Sequence, residues 1–355
     1  MALGRADRPS RGALFPTGLV VDIRTANCQE LEAASVGWDV RYLQLDEGGR
    51  CRCRHVGIHT ARLQLSFETW SLGMLKTGRG PRGSVTFLVP LARNGSCRFQ
   101  GRPCVAGDVF VLFDGDDLDF RSAGPAQLVS VSIERTALER HTRTLLGRHL
   151  GELHLQGRLR GLRTNSAILR GLCHEAVDRA AAHPWLLRDA AQANRLETKL
   201  VKALFSGFET PRDDEAPRRS RTLARNAEAW LRQNIAEAPP IASLCEALDA
   251  SERRLHEAFR EHLGTTPKAY LKTLRLNAAR RDLLGSMART RVTDVALDWG
   301  FSHFGWFSQD YRRLFGETPS QTLQRGRTEA VGDQRFFARP ENPSGHDLTP
   351  AVGIR

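Results

Sequence analysis

The same punctuation occurs twice in the last third of this chain. Ser251–Pro267 reads SERRLHEAFREHLGTTP, and Trp299–Ser320 reads WGFSHFGWFSQDYRRLFGETPS. Each stretch joins a turn and helix start to a segment with apolar residues on one helical face, then closes on Gly-x-x-Pro. Glycine tolerates the left-handed conformation that ends many helices, and a proline shortly after cannot continue one. The repetition constrains the chain more than its length does. Two matched helix-turn-helix units in tandem read as a DNA-binding module rather than a catalytic one.

In the first unit, Ile241, Leu244 and Leu248 face inward on the leading helix, and Asp249-Ala-Ser makes the turn. Ser251 is suited to cap the second helix, whose buried stripe is Leu255, Phe259 and Leu263. Helical geometry then sets Arg253, His256, Glu257 and Arg260 on the outer face, with Arg254 beside them. In the second unit, Val292, Val295, Ala296 and Trp299 face inward, Gly300 turns the chain and Phe301 packs at the corner. Phe307, Tyr311, Leu314 and Phe315 carry the second helix inward, leaving Gly305, Trp306 and Gln309 outside and Arg312 and Arg313 a turn further on. An arginine can take a guanine edge bidentately, a glutamate can accept from cytosine N4, and a glutamine can pair with adenine. Those are the expected roles of Arg253, Glu257 and Gln309. Trp306 has an apolar body for a thymine methyl group, and Arg312 and Arg313 suit phosphates. The plainer alternative is a pair of helical hairpins with a solvated charged surface, Trp306 packing on a neighbouring helix.

The rest of the chain has a different period. Its 355 residues are enough for two domains. From Val20 to Glu134 short alternating runs dominate: Trp38–Leu45, Ala61–Trp70, Ser84–Leu91, Asp108–Phe113 and Gln127–Ile133. Such spacing predicts a sandwich or barrel, with Gly101–Leu112 as a hairpin. Helical periodicity follows over Thr136–Leu146, Ser166–His183 and Leu186–Phe208, the last with Leu196, Leu200, Ala203, Leu204 and Phe208 on one face. Glu209–Arg221 is charged, Pro-containing and aperiodic, and reads as a linker. Helices are expected at Leu223–Glu237, Ile241–Leu248, Ser251–Leu263, Pro267–Ser286, Val292–Trp299, His303–Phe315 and, briefly, Ser320–Gln324. The expected fold class is α+β: an N-terminal cupin-like β-barrel with helices over 20–208, then an all-α domain of two helix-turn-helix units over 222–324. Residues 1–19 and 325–355 are expected to be disordered.

Composition adds little that is specific. The formal charge is +12, from 52 Lys and Arg against 40 Asp and Glu, which favours a polyanionic partner. Residues 221–327 hold 17 basic and 12 acidic side chains, so the excess is not confined to the helical module. Seven scattered cysteines, with a close pair at Cys51 and Cys53, suit a reducing cytosol better than a disulfide framework. Cys51-x-Cys53 on a strand would put both thiols on one face, near His55 and His59, but no second cluster completes a metal site. No metal and no cofactor are expected. With neither a signal peptide nor an apolar run of about 20 residues, the protein is expected in the cytoplasm at the nucleoid, not in a membrane.

Residues 222–323 also resemble the AraC/XylS transcription regulators. The resemblance rests on Leu255-x3-Phe259, Gly264-Thr-Thr-Pro267, Leu274-Arg275-Leu276-x-x-Ala279 and Gly300-Phe301-x7-Asp310-Tyr311-x3-Phe315-Gly316-x-x-Pro319-Ser320. Within the family, the pattern of Gly300–Ser320 is most similar to the branch of arylcarboxylate and ethanolamine-regulon activators. The resemblance implies two units bridged by the helix at Pro267–Ser286, reading successive major-groove segments. Arg253, Glu257, Trp306 and Gln309 fall where such proteins place base-contacting side chains, although Trp306 stands where some relatives have a basic residue. It also implies an N-terminal small-molecule sensor with dimerising helices; the expected mechanism is a ligand that shifts how the two DNA-binding domains of a homodimer sit on direct-repeat promoter half-sites, recruiting RNA polymerase. Trp38, Trp70, Phe87, Phe110 and Phe120 are candidates to line an effector pocket, with core packing as their plainer role. A non-sensing architectural DNA binder and a metal-dependent cupin enzyme are the alternatives.

Overall fold

The computed structural model describes residues 13–18, 20–91, 97–104, 108–153, 155, 157–160, 163–205, 219–237, 239–285 and 290–336. Among the described residues, the N-terminal half carries two antiparallel sheets. The larger holds seven strands in the order β1 (Val20–Thr25), β3 (Cys53–His59), β4 (Leu63–Trp70), β11 (Ala126–Glu134), β6 (Ser84–Pro90), β9 (Asp108–Leu112) and β12 (Gly157–Arg160). The smaller holds five, in the order β2 (Asp39–Gln44), β5 (Met74–Arg79), β10 (Asp117–Ser122), β7 (Cys97–Phe99) and β8 (Arg102–Pro103). A short helix α1 (Cys28–Ala34) lies between β1 and β2. Helices α2 (Arg135–Leu146), α3 (Arg163–Ala182) and α4 (Ala190–Phe205) follow the sheets.

The two-residue alternation of the large sheet divides its side chains between two cores. Leu63, Leu65, Phe67, Phe87, Val129 and Val131 face the helices and pack with Leu138, Leu169, Leu200 and Leu204. Trp70, Leu88, Phe110, Leu112 and Leu128 face the small sheet and meet Tyr42, Met74, Phe99, Leu118 and Phe120. Phe99 stacks on Phe110 with ring centroids 4.3 Å apart, which ties one sheet to the other.

Among the described residues, seven helices make the C-terminal half: α5 (Arg219–Gln233), α6 (Ile241–Ala247), α7 (Glu252–Leu263), α8 (Pro267–Leu284), α9 (Val292–Asp298), α10 (Phe304–Phe315) and α11 (Pro319–Phe336). The helix α8 is buried on two sides. Its first half gives Tyr270, Leu271 and Leu274 to a core with Leu244, Leu255 and Phe259. Its second half gives Leu276, Ala279 and Leu283 to a core with Val295, Phe307, Tyr311 and Phe315. One rigid helix therefore belongs to both helix-turn-helix units.

Four expectations need correction. Residues 13–18 are packed: Phe15 is buried, its ring centroid 6.2 Å from that of His59, and Leu14 donates its amide to Ala61. Gly101–Leu112 is not a hairpin. β8 pairs with β7 and β9 with β6 and β12, in different sheets, because Phe110 follows the burial pattern of the large sheet. The expected linker reaches three residues too far: Arg219–Arg221 belong to α5, whose sequence carries no break before Pro239. Finally α11 runs past Gln324 to Phe336, because Gly326 fits closely against the end of α8 and no proline interrupts the chain before Pro340. Phe208 and residues 209–218 lie outside the described residues, as do 1–12 and 337–355. Missed outright were β1, α1, β5, β7, β10 and β12, whose short runs mix charged or polar residues with the apolar ones.

Candidate nucleic-acid interface

Both turns form as the residue types require. Asp249 takes φ 46° and Gly300 φ 74°, reversing the chain between the helices of each unit. Ser251 caps α7 by accepting a hydrogen bond from the Arg254 amide. Gly264 and Gly316 end α7 and α10 at φ 68° and 70°. Gly316 has a second reason to be glycine: a Cβ there would stand 2.7 Å from the Cα of Gly49 in the N-terminal half. The buried stripes are as the periodicity predicts, Leu255 and Phe259 on α7 and Phe307, Tyr311, Leu314 and Phe315 on α10.

The outer faces stay open. Arg253, Arg254, Glu257 and Arg260 are exposed, and His256 is half-buried with its Nε2 3.7 Å from Glu252. Arg253 Nε lies 2.9 Å from Glu257 Oε1 one turn along, so the two satisfy each other until a base edge competes. Gly305, Trp306, Gln309, Arg312 and Arg313 are exposed on α10. Trp306 is 71% exposed, its ring 5.4 Å from that of His303, so its body covers no neighbouring helix. Arg313 leans toward Asp310 at 3.9 Å and Glu47 at 4.0 Å. The first turn of α10 ends in free amides, because His303 makes no side-chain cap, and such amides favour an anion such as phosphate.

Sequence reasoning did not find the residues that hold this module against the small sheet. Leu43, Leu45 and Leu75 leave that sheet on its outer side and join the core of the first unit. Asn277 of α8 donates to the Gln44 carbonyl and accepts from the Gln44 amide, both at 2.9 Å, as a neighbouring strand would. The Gln44 side chain donates to Leu314 O at 2.7 Å, and the Gly48 amide donates to Arg313 O, so both cap the end of α10. Arg98 and Arg121 donate to Glu261 O and Leu263 O at the end of α7. Arg281 grips Glu32 with two bonds of 2.7 Å. The carboxylate of Glu228 receives Arg121, Arg232 and Tyr270 together. Burial, and then the nearby Glu228, pushes the neighbouring Asp119 up to about 6. No local pattern could have exposed the pairs that join the two halves, because their partners are over a hundred residues apart.

The space between the sheets has an apolar end and a polar end. Trp70, Phe110 and Phe120 lie at the apolar end. Phe87 does not join them, because it points to the other face of the large sheet, against Phe205. Trp38 stands at the polar end, donating to Gln64 at 2.8 Å with the Lys76 ammonium 4.4 Å from its ring. There Lys76 meets Glu68 at 2.8 Å, Tyr42 donates to Glu68 at 3.0 Å, and His55 Nδ1 lies 3.3 Å away. Burial raises the Glu68 pKa, but Lys76 and His55 outweigh it and hold the carboxyl at about 2. Burial, then His55, pulls His59 down to about 4. Glu68 Oε2, His59 Nδ1 and Ser130 Oγ are buried on this side without a hydrogen-bond partner, as is Trp70 Nε1 at the apolar end. A cavity of about 760 Å³ opens outside Trp38 and Phe15. Among the described residues no group of three or more His, Cys, Asp or Glu side chains is placed to hold a metal, and no helix is long and apolar enough to cross a membrane.

A family model described as "Helix-turn-helix domain" matches residues 244–325. The chain is 38% identical over 103 residues to a XylDLEGF operon transcriptional activator of Pseudomonas putida, covering 29% of this chain and 32% of that protein. It is 28% identical over 208 residues to a probable thc operon regulatory protein of Rhodococcus erythropolis, covering 56% and 62%. Among solved structures, a probable AraC family transcriptional regulator from Rhodopseudomonas palustris is 37% identical, with 30% of this chain and 97% of that one covered and a TM-score of 0.29. The chain thus spans about a third of the length of the first of these curated relatives.

Proposed function

Because the chain belongs to the AraC/XylS family of transcriptional regulators, we propose that it is a sequence-specific DNA-binding activator whose two reading helices, α7 and α10, enter successive major-groove segments. The observation that carries this reading is the pair of open outer faces on helices whose inner faces share α8. In it Arg253, Glu257, Trp306 and Gln309 contact bases, while Arg254, His256, Arg260, Gly305, Arg312 and Arg313 approach the backbone. Genomic footprinting of the full chain tests the reading: paired boxes in direct repeat are expected, and binding without sequence preference would overturn it.

The unpartnered polar atoms between the sheets support a second part of the proposal, a small-molecule effector held at the polar end behind Trp38. Buried polar groups almost always have a partner, so the orphaned atoms of Glu68, His59 and Ser130 favour a bound molecule or ordered water. A ligand that binds one arrangement of the docked halves better than another shifts the population toward it. A melting shift of the full chain with effectors drawn from neighbouring operons tests this, and a Trp38→Ala variant should lose the shift. Trp185 and Ile168, exposed on the helical layer, are where we place the second copy of a homodimer, with RNA polymerase as the further partner. We read the chain as having no catalytic role. Stoichiometric metal in the purified protein would reopen the enzyme reading.

A further inference from the structure

Cys51 and Cys53 point the same way from either side of the exposed Arg52, with their sulfurs 3.7 Å apart. Cys53 is the first residue of β3, pinned on both flanks by pairing with Thr25 and Trp70. Cys51 precedes the strand, so it is the more movable of the two. Its amide donates to the side chain of Gln44 at 3.1 Å. That same Gln44 donates to Gly49 O at 2.6 Å and to Leu314 O at 2.7 Å. The turn between them presents Gly48 and Gly49 to the end of α10. A displacement of Cys51 is therefore passed to the reading helix through one side chain and one turn.

We propose that Cys51 and Cys53 are an oxidative modification site: peroxide converts them to a disulfide, and the disulfide loosens the second helix-turn-helix unit from the small sheet. In the first step the Cys51 thiolate attacks hydrogen peroxide. A sulfur–oxygen bond forms, the oxygen–oxygen bond breaks, and the departing hydroxide takes a proton to leave as water. In the second step the Cys53 sulfur, losing its proton, attacks the Cys51 sulfenic acid. The sulfur–sulfur bond forms and a second water leaves. Two thiols are oxidised and one peroxide is reduced to two waters.

The surroundings favour Cys51 as the attacking sulfur. A hydrogen bond from Cys53 outweighs burial and lowers the Cys51 thiol to about 7, while the same contact raises Cys53. Ser71 Oγ lies 4.0 Å from the Cys51 sulfur as a second donor. Closing the sulfurs to bonding distance draws Cys51 toward the fixed strand, because a disulfide requires a separation near 2.05 Å. The short ring so formed strains the bond, which makes it reducible by a dithiol and the change reversible.

The test uses the purified full chain, treated with hydrogen peroxide and then with dithiothreitol. The expected product has lost two hydrogens, with the bond mapped by peptide analysis to Cys51 and Cys53. Hydrogen exchange should then accelerate roughly tenfold at the Gly48 amide and at the amides closing α10, as loss of about one hydrogen bond implies. Cys51→Ser and Cys53→Ser should each abolish both changes, whereas Cys245→Ser should leave both intact. Three outcomes overturn the proposal: thiols that resist peroxide in the folded chain, a disulfide that maps to another pair, or a Cys51–Cys53 bond that leaves exchange at α10 unchanged. None of these readouts requires DNA, so they stand apart from the functional reading.

Discussion

At the scale of single residues, charge and burial decide the outcome. Arg253 is exposed and, among the described residues, pairs with Glu257, itself exposed, so removing it should leave the fold alone. Arg253→Ala is expected to relax base preference at one position of the bound site and cost about 1–3 kcal/mol there, read from binding to operator variants. Equal loss on every sequence would mark it as a phosphate contact instead. Lys76 is the opposite case, because it is buried against Glu68. Lys76→Met strands a buried carboxylate and should destabilise the fold by about 3–5 kcal/mol, and adding Glu68→Gln should recover much of that in chemical denaturation. His59 gives a pH signature. Its folded pKa lies near 4, below the ordinary 6.5, so the unfolded chain binds its proton first. The associated stability is full above pH 6.5 and declines as pH falls toward 4. Replacing His59 with Gln should flatten that limb of a melting-temperature profile, and an unchanged limb would move the effect to another group.

At the scale of elements, what was legible depended on the clarity of the period. The helices α6 to α10 were placed within a residue or two, because their apolar stripes are clear and the Ser251 cap and the two Gly-x-x-Pro stops mark the ends of α7 and α10. Strands β4, β6, β9 and β11 were legible for the same reason at period two. β5 and β10 were not, since Met74–Arg79 carries Lys76 inward and Asp117–Ser122 carries Arg121 into an ion pair between the halves. A charged residue on an inward position reads as a break until its partner is known. Gly316 shows an element end fixed from both sides, by its left-handed backbone and by Gly49. Gly316→Ala should therefore cost more than the roughly 1 kcal/mol of an ordinary left-handed site, and exchange at the end of α10 should rise with it. A loss no larger than that would show that the approach of Gly49 relaxes freely.

At the scale of the molecule, the small sheet is a wall shared by both halves. Its inner face carries Tyr42 and Lys76 toward the space between the sheets, and its outer face carries Leu43 and Leu75 into the first helix-turn-helix core. Arg121→Ala would leave Glu228 with Arg232 and Tyr270 alone. It should weaken docking by about 1.5–3 kcal/mol, the effect of losing one hydrogen-bonded partner of a buried charge that keeps two others. Faster hydrogen exchange in α5 and α7, with exchange in α3 unchanged, is the pattern expected. The sequence by itself determined the second helix of each helix-turn-helix unit, its polar face and the alternation of the main strands, because those follow from periods of 3.6 and 2 and from local turn chemistry. Only the tertiary structure decided where Gln44, Asn277, Arg121 and Glu228 meet, which way Phe87 faces, and that Gln44 links Cys51 to the end of α10. Those depend on contacts between residues far apart in the chain, and no local period records them.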